Sequence, residues 1–108
     1  MDAKTRQLYK LKADVLAAAG HEIRLAVIDF LRDGEQCVCD IAEHVGAQRS
    51  NVSRHLAVLL AAGLVSQRKD GLRVMYSLRT PCVLNFLDCV TGVLLAQARE
   101  TQTVLENL

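Results

Sequence analysis

The chain has 108 residues, 51% of them apolar but only 4% aromatic, with no Trp. That length supports one domain around one modest core, and no apolar run reaches the roughly 18 residues that a membrane span needs. The opening stretch MDAKTRQLYKLKAD is too charged for a secretory signal, so a cytoplasmic protein without membrane partners is expected. The 13 basic and 12 acidic residues nearly cancel overall, but residues 47–79 carry six basic side chains (Arg49, Arg54, Arg68, Lys69, Arg73, Arg79) against one acidic, Asp70. A local excess of that kind marks either a polyanion-binding surface or a solvated face.

In chain order, a first helix is expected from about Lys4 to Ala18, with Leu8, Leu11 and Val15 on one face and Gly20 breaking it. A second follows, with Ile23, Val27, Phe30 and Leu31 spaced three and four apart, and Asp33-Gly34 ends it. Asp40 with Glu43 three residues on reads as a capping box opening a short helix, Ile41 to Val45, closed by Gly46 as a left-handed cap. A turn at 47–49 leads into a helix from about Ser50 to Ala62, buried through Val52, Leu56, Leu59 and Leu60 and stopped by Gly63. The period then changes from helical to alternating. Residues 64–68 and 73–78 read as two strands joined at Asp70-Gly71, a strong hairpin signal. Thr80 is a plausible N-cap and Pro81 suits the first position of a long final helix running to about Glu106.

Short helix, tight turn and basic helix make a helix-turn-helix, and the hairpin makes a wing. The expected fold is therefore mostly α with a β-hairpin wing, a single winged helix-turn-helix domain over 1–108 whose DNA-reading part is 40–79. The helices at 4–18 and 81–106 hold more Leu and Val than one small core needs. They are expected to pair with their copies in a homodimer.

Double-stranded operator DNA is the expected partner. Gln48, Arg49, Ser50, Asn51, Ser53, Arg54 and His55 line the start and outer face of the recognition helix, whose N-terminal residues meet base edges in the major groove. Arg49 suits a guanine, Asn51 an adenine or phosphate, and Arg54 a phosphate. His55 lies beside the buried position Leu56, which suits packing or a phosphate contact better than metal ligation. On the wing, Arg68, Lys69 and Arg73 can reach the flanking backbone or the minor groove. No nucleophile–base pair, phosphate loop or Cys-x-x-Cys motif suggests an enzyme.

Four cysteines in a cytosolic protein point to metal or redox chemistry rather than a disulfide framework. Cys37 and Cys39 form a Cys-x-Cys at a helix start, where free N–H groups favour the thiolate. Cys82 and Cys89 are seven apart on the last helix, about 10.5 Å along its axis, so one ion cannot bridge them within one straight helix. Each must find partners elsewhere: Cys37 or Cys39, the other subunit, or nothing. Cys89, between Phe86, Val90 and Val93, also suits simple interface packing. An all-sulfur donor set suits arsenite, cadmium, lead or zinc. Structural zinc prefers four ligands with Cys-x₂₋₄-Cys spacing, which is absent.

These motifs resemble the ArsR/SmtB family of metal-responsive repressors over nearly the whole chain. Gly-His-Glu-Ile-Arg-Leu (20–25) looks like the family's second-helix opening, and Glu-Gln-Cys-Val-Cys-Asp-Ile (35–41) is similar to the "metal box" of its arsenite and cadmium/lead sensors. Ser-Arg-His-Leu (53–56), Ala-Gly-Leu-Val (62–65) and Arg-Lys-Asp-Gly (68–71), followed by Tyr76-Ser77-Leu78, match its recognition helix and wing. The resemblance implies a dimer whose ligand lowers DNA affinity and derepresses resistance genes. It places Cys37 and Cys39 at ligand positions. The third cysteine of the arsenite pattern meets Ala42, the N-terminal cysteines of the cadmium/lead pattern are missing, and the zinc sensors' Asp, His and Glu set on the last helix is absent. Some relatives place arsenic ligands on the C-terminal helix, which gives Cys82 and Cys89 weight. Arsenite is thus the expected inducer, with antimonite, Cd(II) or Pb(II) as alternatives. A thiol redox or persulfide response is a further alternative, although the family's persulfide sensors carry a cysteine where this chain has Asp29. A constitutive DNA-binding module whose cysteines only pack is the remaining one.

Overall fold

A computed structural model describes all residues, 1–108. The first helix, α1 (Ala3–Ala19), starts at Asp2, whose carboxylate accepts the Thr5 N–H at 2.7 Å. The second, α2 (Glu22–Phe30), is capped by His21, whose Nδ1 accepts the Ile23 N–H. A 3₁₀ turn (Leu31–Asp33) extends it and Gly34, at φ 137°, releases the chain.

The next segment departs from the sequence expectation. Gln36–Cys37 forms a two-residue strand, β1, and α3 spans Val38–Val45. The helix opens three residues earlier than Ile41, and its cap is Cys37, whose Sγ accepts the Asp40 N–H at 3.3 Å. Asp40 is inside the helix, so the Asp40/Glu43 capping box does not form. A thiol standing in for the usual Ser or Asp at a helix start is invisible to capping preferences. Gly46 ends α3 in the left-handed region as expected, at φ 69°.

The recognition helix α4 covers Arg49–Ala61. Strands β2 (Val65–Asp70) and β3 (Arg73–Leu78) pair antiparallel, with Asp70 opposite Arg73. The two turn residues are therefore Gly71-Leu72, one position later than Asp70-Gly71. Strand β1 adds to the far edge of β3 (Gln36 opposite Tyr76, Cys37 opposite Met75), giving a three-stranded sheet in the order β1-β3-β2. The final helix, α5 (Val83–Glu106), begins after a turn at 80–82. Thr80 does not cap it. Its hydroxyl donates to the Gly63 carbonyl at 2.8 Å instead, tying the end of the wing to the end of α4.

The core lies where α2, α3, α4 and the root of β2 meet. Val27, Ile28, Ile41, Val52, Leu56, Leu59, Leu64 and Val65 are each at most 1% exposed, and burial of each such side chain contributes about 1.5–3 kcal/mol. Residues Val52, Leu56 and Leu59 pin the inner face of α4, so its outer face is fixed in direction. Helix α5 buries nothing fully in one protomer. Only Val83, Leu84 and Leu87 pack on the core, and Arg32 holds Asp88 through two hydrogen bonds at 3.1 and 2.8 Å. Beyond that, Phe86, Val93 and Leu94 of α5 and Leu8, Leu11 and Leu16 of α1 are about half exposed. No helix is long and apolar enough to cross a membrane.

Candidate nucleic-acid interface and thiol site

The turn between α3 and α4 closes tightly because both Gly46 and Ala47 return their N–H groups to the Ala42 carbonyl. The chain then enters α4 at Gln48, whose carbonyl accepts the Val52 N–H while its side chain makes no capping bond. The first N–H groups of α4 thus lie at its positive end, free for an anion. Gln48, Arg49, Ser50, Ser53 and Arg54 are exposed and Asn51 is half-buried, so six of the seven expected reading residues line one end and one flank of a rigidly seated helix.

His55 is placed differently. Its ring packs against that of His21 with centroids 4.4 Å apart, and its Nδ1 is 3.3 Å from the Arg24 guanidinium. Arg24 in turn donates from Nε to the Ala18 carbonyl at 2.6 Å. The His55 ring therefore props α4 against the corner between α1 and α2. Burial, with the neighbouring His21, Arg24 and Arg54, holds its pKa below the ordinary imidazole value.

On the wing, Lys69 and Arg73 are exposed. Arg68 is engaged: its Nε and Nη2 donate to the Glu35 carboxylate at 2.7 and 2.6 Å. The pairing lowers the Glu35 pKa and raises that of Arg68.

The structure brings Cys37 and Cys39 together, with Sγ atoms 3.0 Å apart. Cys37 is 3% exposed and Cys39 half-buried. The two thiols share a hydrogen bond, which lowers the Cys39 pKa, and the Arg49 charge acts in the same direction. Sharing with Cys39 and burial push Cys37 upward. One thiolate, at Cys39, thus forms more readily than in a free cysteine. Two sulfurs this close can be offered to one soft ion. Cys82 and Cys89 are exposed on α5, and no group of three His, Cys, Asp or Glu side chains assembles within one protomer.

Three features had no sequence signal strong enough to find them. Strand β1 is two residues long, too short to alternate. The Glu35–Arg68 pair spans 33 positions. The stacking of His44 on Phe30, with centroids 4.1 Å apart, joins α3 to α2 across a similarly unmarked gap.

Residues 21–67, from the cap of α2 into β2, match the family model described as bacterial regulatory protein, arsR family. The chain is 32% identical to an uncharacterised HTH-type transcriptional regulator of Mycobacterium tuberculosis, over 97% of this chain and 93% of that one. The chain belongs to the ArsR/SmtB family of transcriptional repressors. An arsenical resistance operon repressor of Staphylococcus xylosus is 36% identical over 65% of this chain and 67% of its own. Among solved structures, a homodimeric winged helix-turn-helix DNA-binding domain from Mycobacterium bovis superposes with a TM-score of 0.80 at 27% identity, covering 93% of both chains. This ArsR/SmtB protein is a DNA-binding regulator and not an enzyme, and its relatives include an arsenical resistance operon repressor and a probable mercury resistance operon repressor.

Proposed function

We propose that this protein binds operator DNA as a homodimer and releases it when its cysteine thiolates capture arsenite. The observation that carries the reading is the Cys37–Cys39 pair, with its sulfurs 3.0 Å apart at the start of α3, the helix that supports the recognition helix. Gln48, Arg49, Ser50, Asn51, Ser53 and Arg54 read or grip the major groove, and Lys69 and Arg73 reach the flanking backbone, while Arg68 is held by Glu35. The half-exposed apolar residues of α1 and α5 form the dimer contact. Leu16, Leu25, Val83, Phe86 and Leu87 line an apolar groove beside it, which a second copy covers.

Trivalent arsenic needs a third sulfur. Cys82 or Cys89 supplies it, from the same subunit after rearrangement or from the other. Antimonite shares this chemistry, and Cd(II) and Pb(II) are softer-ion alternatives. Closing the cage turns the Cys37 sulfur away from the Asp40 N–H, disturbs the opening of α3 and shifts the population of dimers away from the DNA-binding form. The short sulfur–sulfur distance and the favoured Cys39 thiolate also support a second reading, in which an oxidant or persulfide converts the same pair.

The test is a titration of arsenite into fully reduced protein, followed by near-ultraviolet thiolate–arsenic absorbance. One equivalent per protomer is expected, lost in Cys37→Ser and Cys39→Ser. Unchanged uptake in Cys37→Ser refutes the cage. Single Cys82→Ser and Cys89→Ser variants identify the third ligand.

A further inference from the structure

Cys37 serves three structures at once. It is one half of the thiol pair, its sulfur caps α3 through the Asp40 N–H, and its backbone pairs with Met75 of β3. Met75 in turn stands opposite Arg68 of β2, so Cys37, Met75 and Arg68 form one row across the three-stranded sheet. Two residues before Cys37, the Glu35 carboxylate takes both hydrogen bonds of the Arg68 guanidinium, at 2.7 and 2.6 Å. Because the sheet order is β1-β3-β2, this ion pair reaches over β3, across two strand spacings of about 4.8 Å each. It ties the segment that carries the thiols directly to the wing strand that carries Lys69.

A two-residue strand contributes little pairing of its own, so β1 needs a second anchor to stay in register with β3. A two-point carboxylate–guanidinium contact has a fixed geometry and supplies that anchor. We infer that the Glu35–Arg68 pair is the link by which ligand capture at Cys37 is transmitted to the wing, Glu35 acting as a positioning residue that touches neither ligand nor DNA. This inference rests on the thiolate-sensing reading given above. With the pair closed, β1, β3 and β2 move as one body and the wing is held for DNA. When Cys37 swings towards an ion it draws β1 off Met75, pulls Glu35 from Arg68, and leaves the wing free of the body.

The link predicts that breaking the pair reproduces the effect of ligand capture on DNA binding, so that little coupling is left. Coupling is the ratio of DNA affinity without arsenite to that with it, which for allosteric regulators lies at about 5–150-fold. The experiment measures that ratio by anisotropy on full-length reduced protein, with arsenite loading followed in parallel by thiolate–arsenic absorbance. In Glu35→Gln the expected results are unliganded DNA binding lowered towards the arsenite-loaded level, arsenite uptake unchanged, and a ratio reduced below about 3-fold. The reversed pair, Glu35→Arg with Arg68→Glu, restores the contact with opposite polarity. It lowers DNA affinity in both states because the wing loses a positive charge, but its ratio returns to within threefold of the wild-type value. A merely stabilising role for Glu35 predicts instead a lower Tm with the wild-type ratio. If Glu35→Gln takes up arsenite and still releases DNA with the wild-type ratio, the link is refuted and the sensing reading stands. If the wild-type protein takes up neither arsenite nor Cd(II), the sensing reading falls, and the link falls with it.

Discussion

Gly46 sets the angle between α3 and α4, and replacing it tests whether that turn is held by backbone conformation alone. Its φ of 69° and ψ of 35° lie in the left-handed region, and a Cβ placed there meets nothing within 4 Å. Gly46→Ala therefore introduces conformational strain without a collision. Left-handed backbone costs an L-residue about 1–2 kcal/mol, partly offset because Ala has less freedom than Gly to lose on folding. A net loss of about 1 kcal/mol follows, against a total stability of about 5–15 kcal/mol for a chain of this size. Thermal unfolding at fixed protomer concentration should show a Tm lower by roughly 4–8 °C. Gly46→Asn should lose less than half as much, because Asn tolerates this region. More than about 99% of either variant remains folded, so any fall in DNA affinity beyond twofold reports the turn geometry itself. An Asn variant as damaged as the Ala variant would refute the reasoning, since it would mean that the side chain collides after all. So would an Ala variant with an unchanged Tm.

Replacing Leu94, which is 60% exposed on α5, by Glu should shift the protein to monomer at micromolar concentration in sedimentation, and an intact dimer would show that the contact lies elsewhere. Lys69→Ala should weaken DNA binding evenly across sequences and reduce the salt slope by about 1; an unchanged slope removes Lys69 from the phosphate contacts. Stability should depend on pH through His55, whose folded pKa is depressed first by burial and then by His21, Arg24 and Arg54. The unfolded imidazole takes up its proton near pH 6.5 while the folded one does not. His55 therefore costs nothing above that pH, and stability falls as the pH drops below it towards the folded value. Urea unfolding should show this decline in the wild type and a flatter profile in His55→Gln; equal profiles exclude His55 as the cause.

Most of the fold is legible in the sequence because its signals are local. Gly20, Gly34, Gly46 and Gly63 punctuate the helices where they are expected to, and the alternation of Val74, Tyr76 and Leu78 marks β3. The errors fall where a tertiary contact replaces a local rule. Cys37 caps α3 in place of Asp40 because β1 pairs with β3 and holds that sulfur over the helix start. Thr80 leaves α5 uncapped because its hydroxyl is taken by Gly63. At the site, the exposed residues at the start of α4 follow from helical periodicity around Val52, Leu56 and Leu59. The inward turn of His55 does not, since it depends on His21 and Arg24, more than 30 positions away. The engagement of Arg68 by Glu35 is equally non-local, so a residue expected to be free for DNA is tied to the thiol segment. The approach of Cys37 to Cys39 follows from their spacing, and Cys82 and Cys89 do not join them in a group of three.

The most direct test of the central claim is release of DNA. Fully reduced protein is bound to labelled DNA from upstream of its own gene, arsenite is added, and anisotropy is followed for the wild type and for Cys37→Ser with Cys39→Ser. The account predicts release near one equivalent per protomer in the wild type and retention in the double variant. Retention in the wild type with arsenite bound, or release from the double variant at the same concentration, would contradict it.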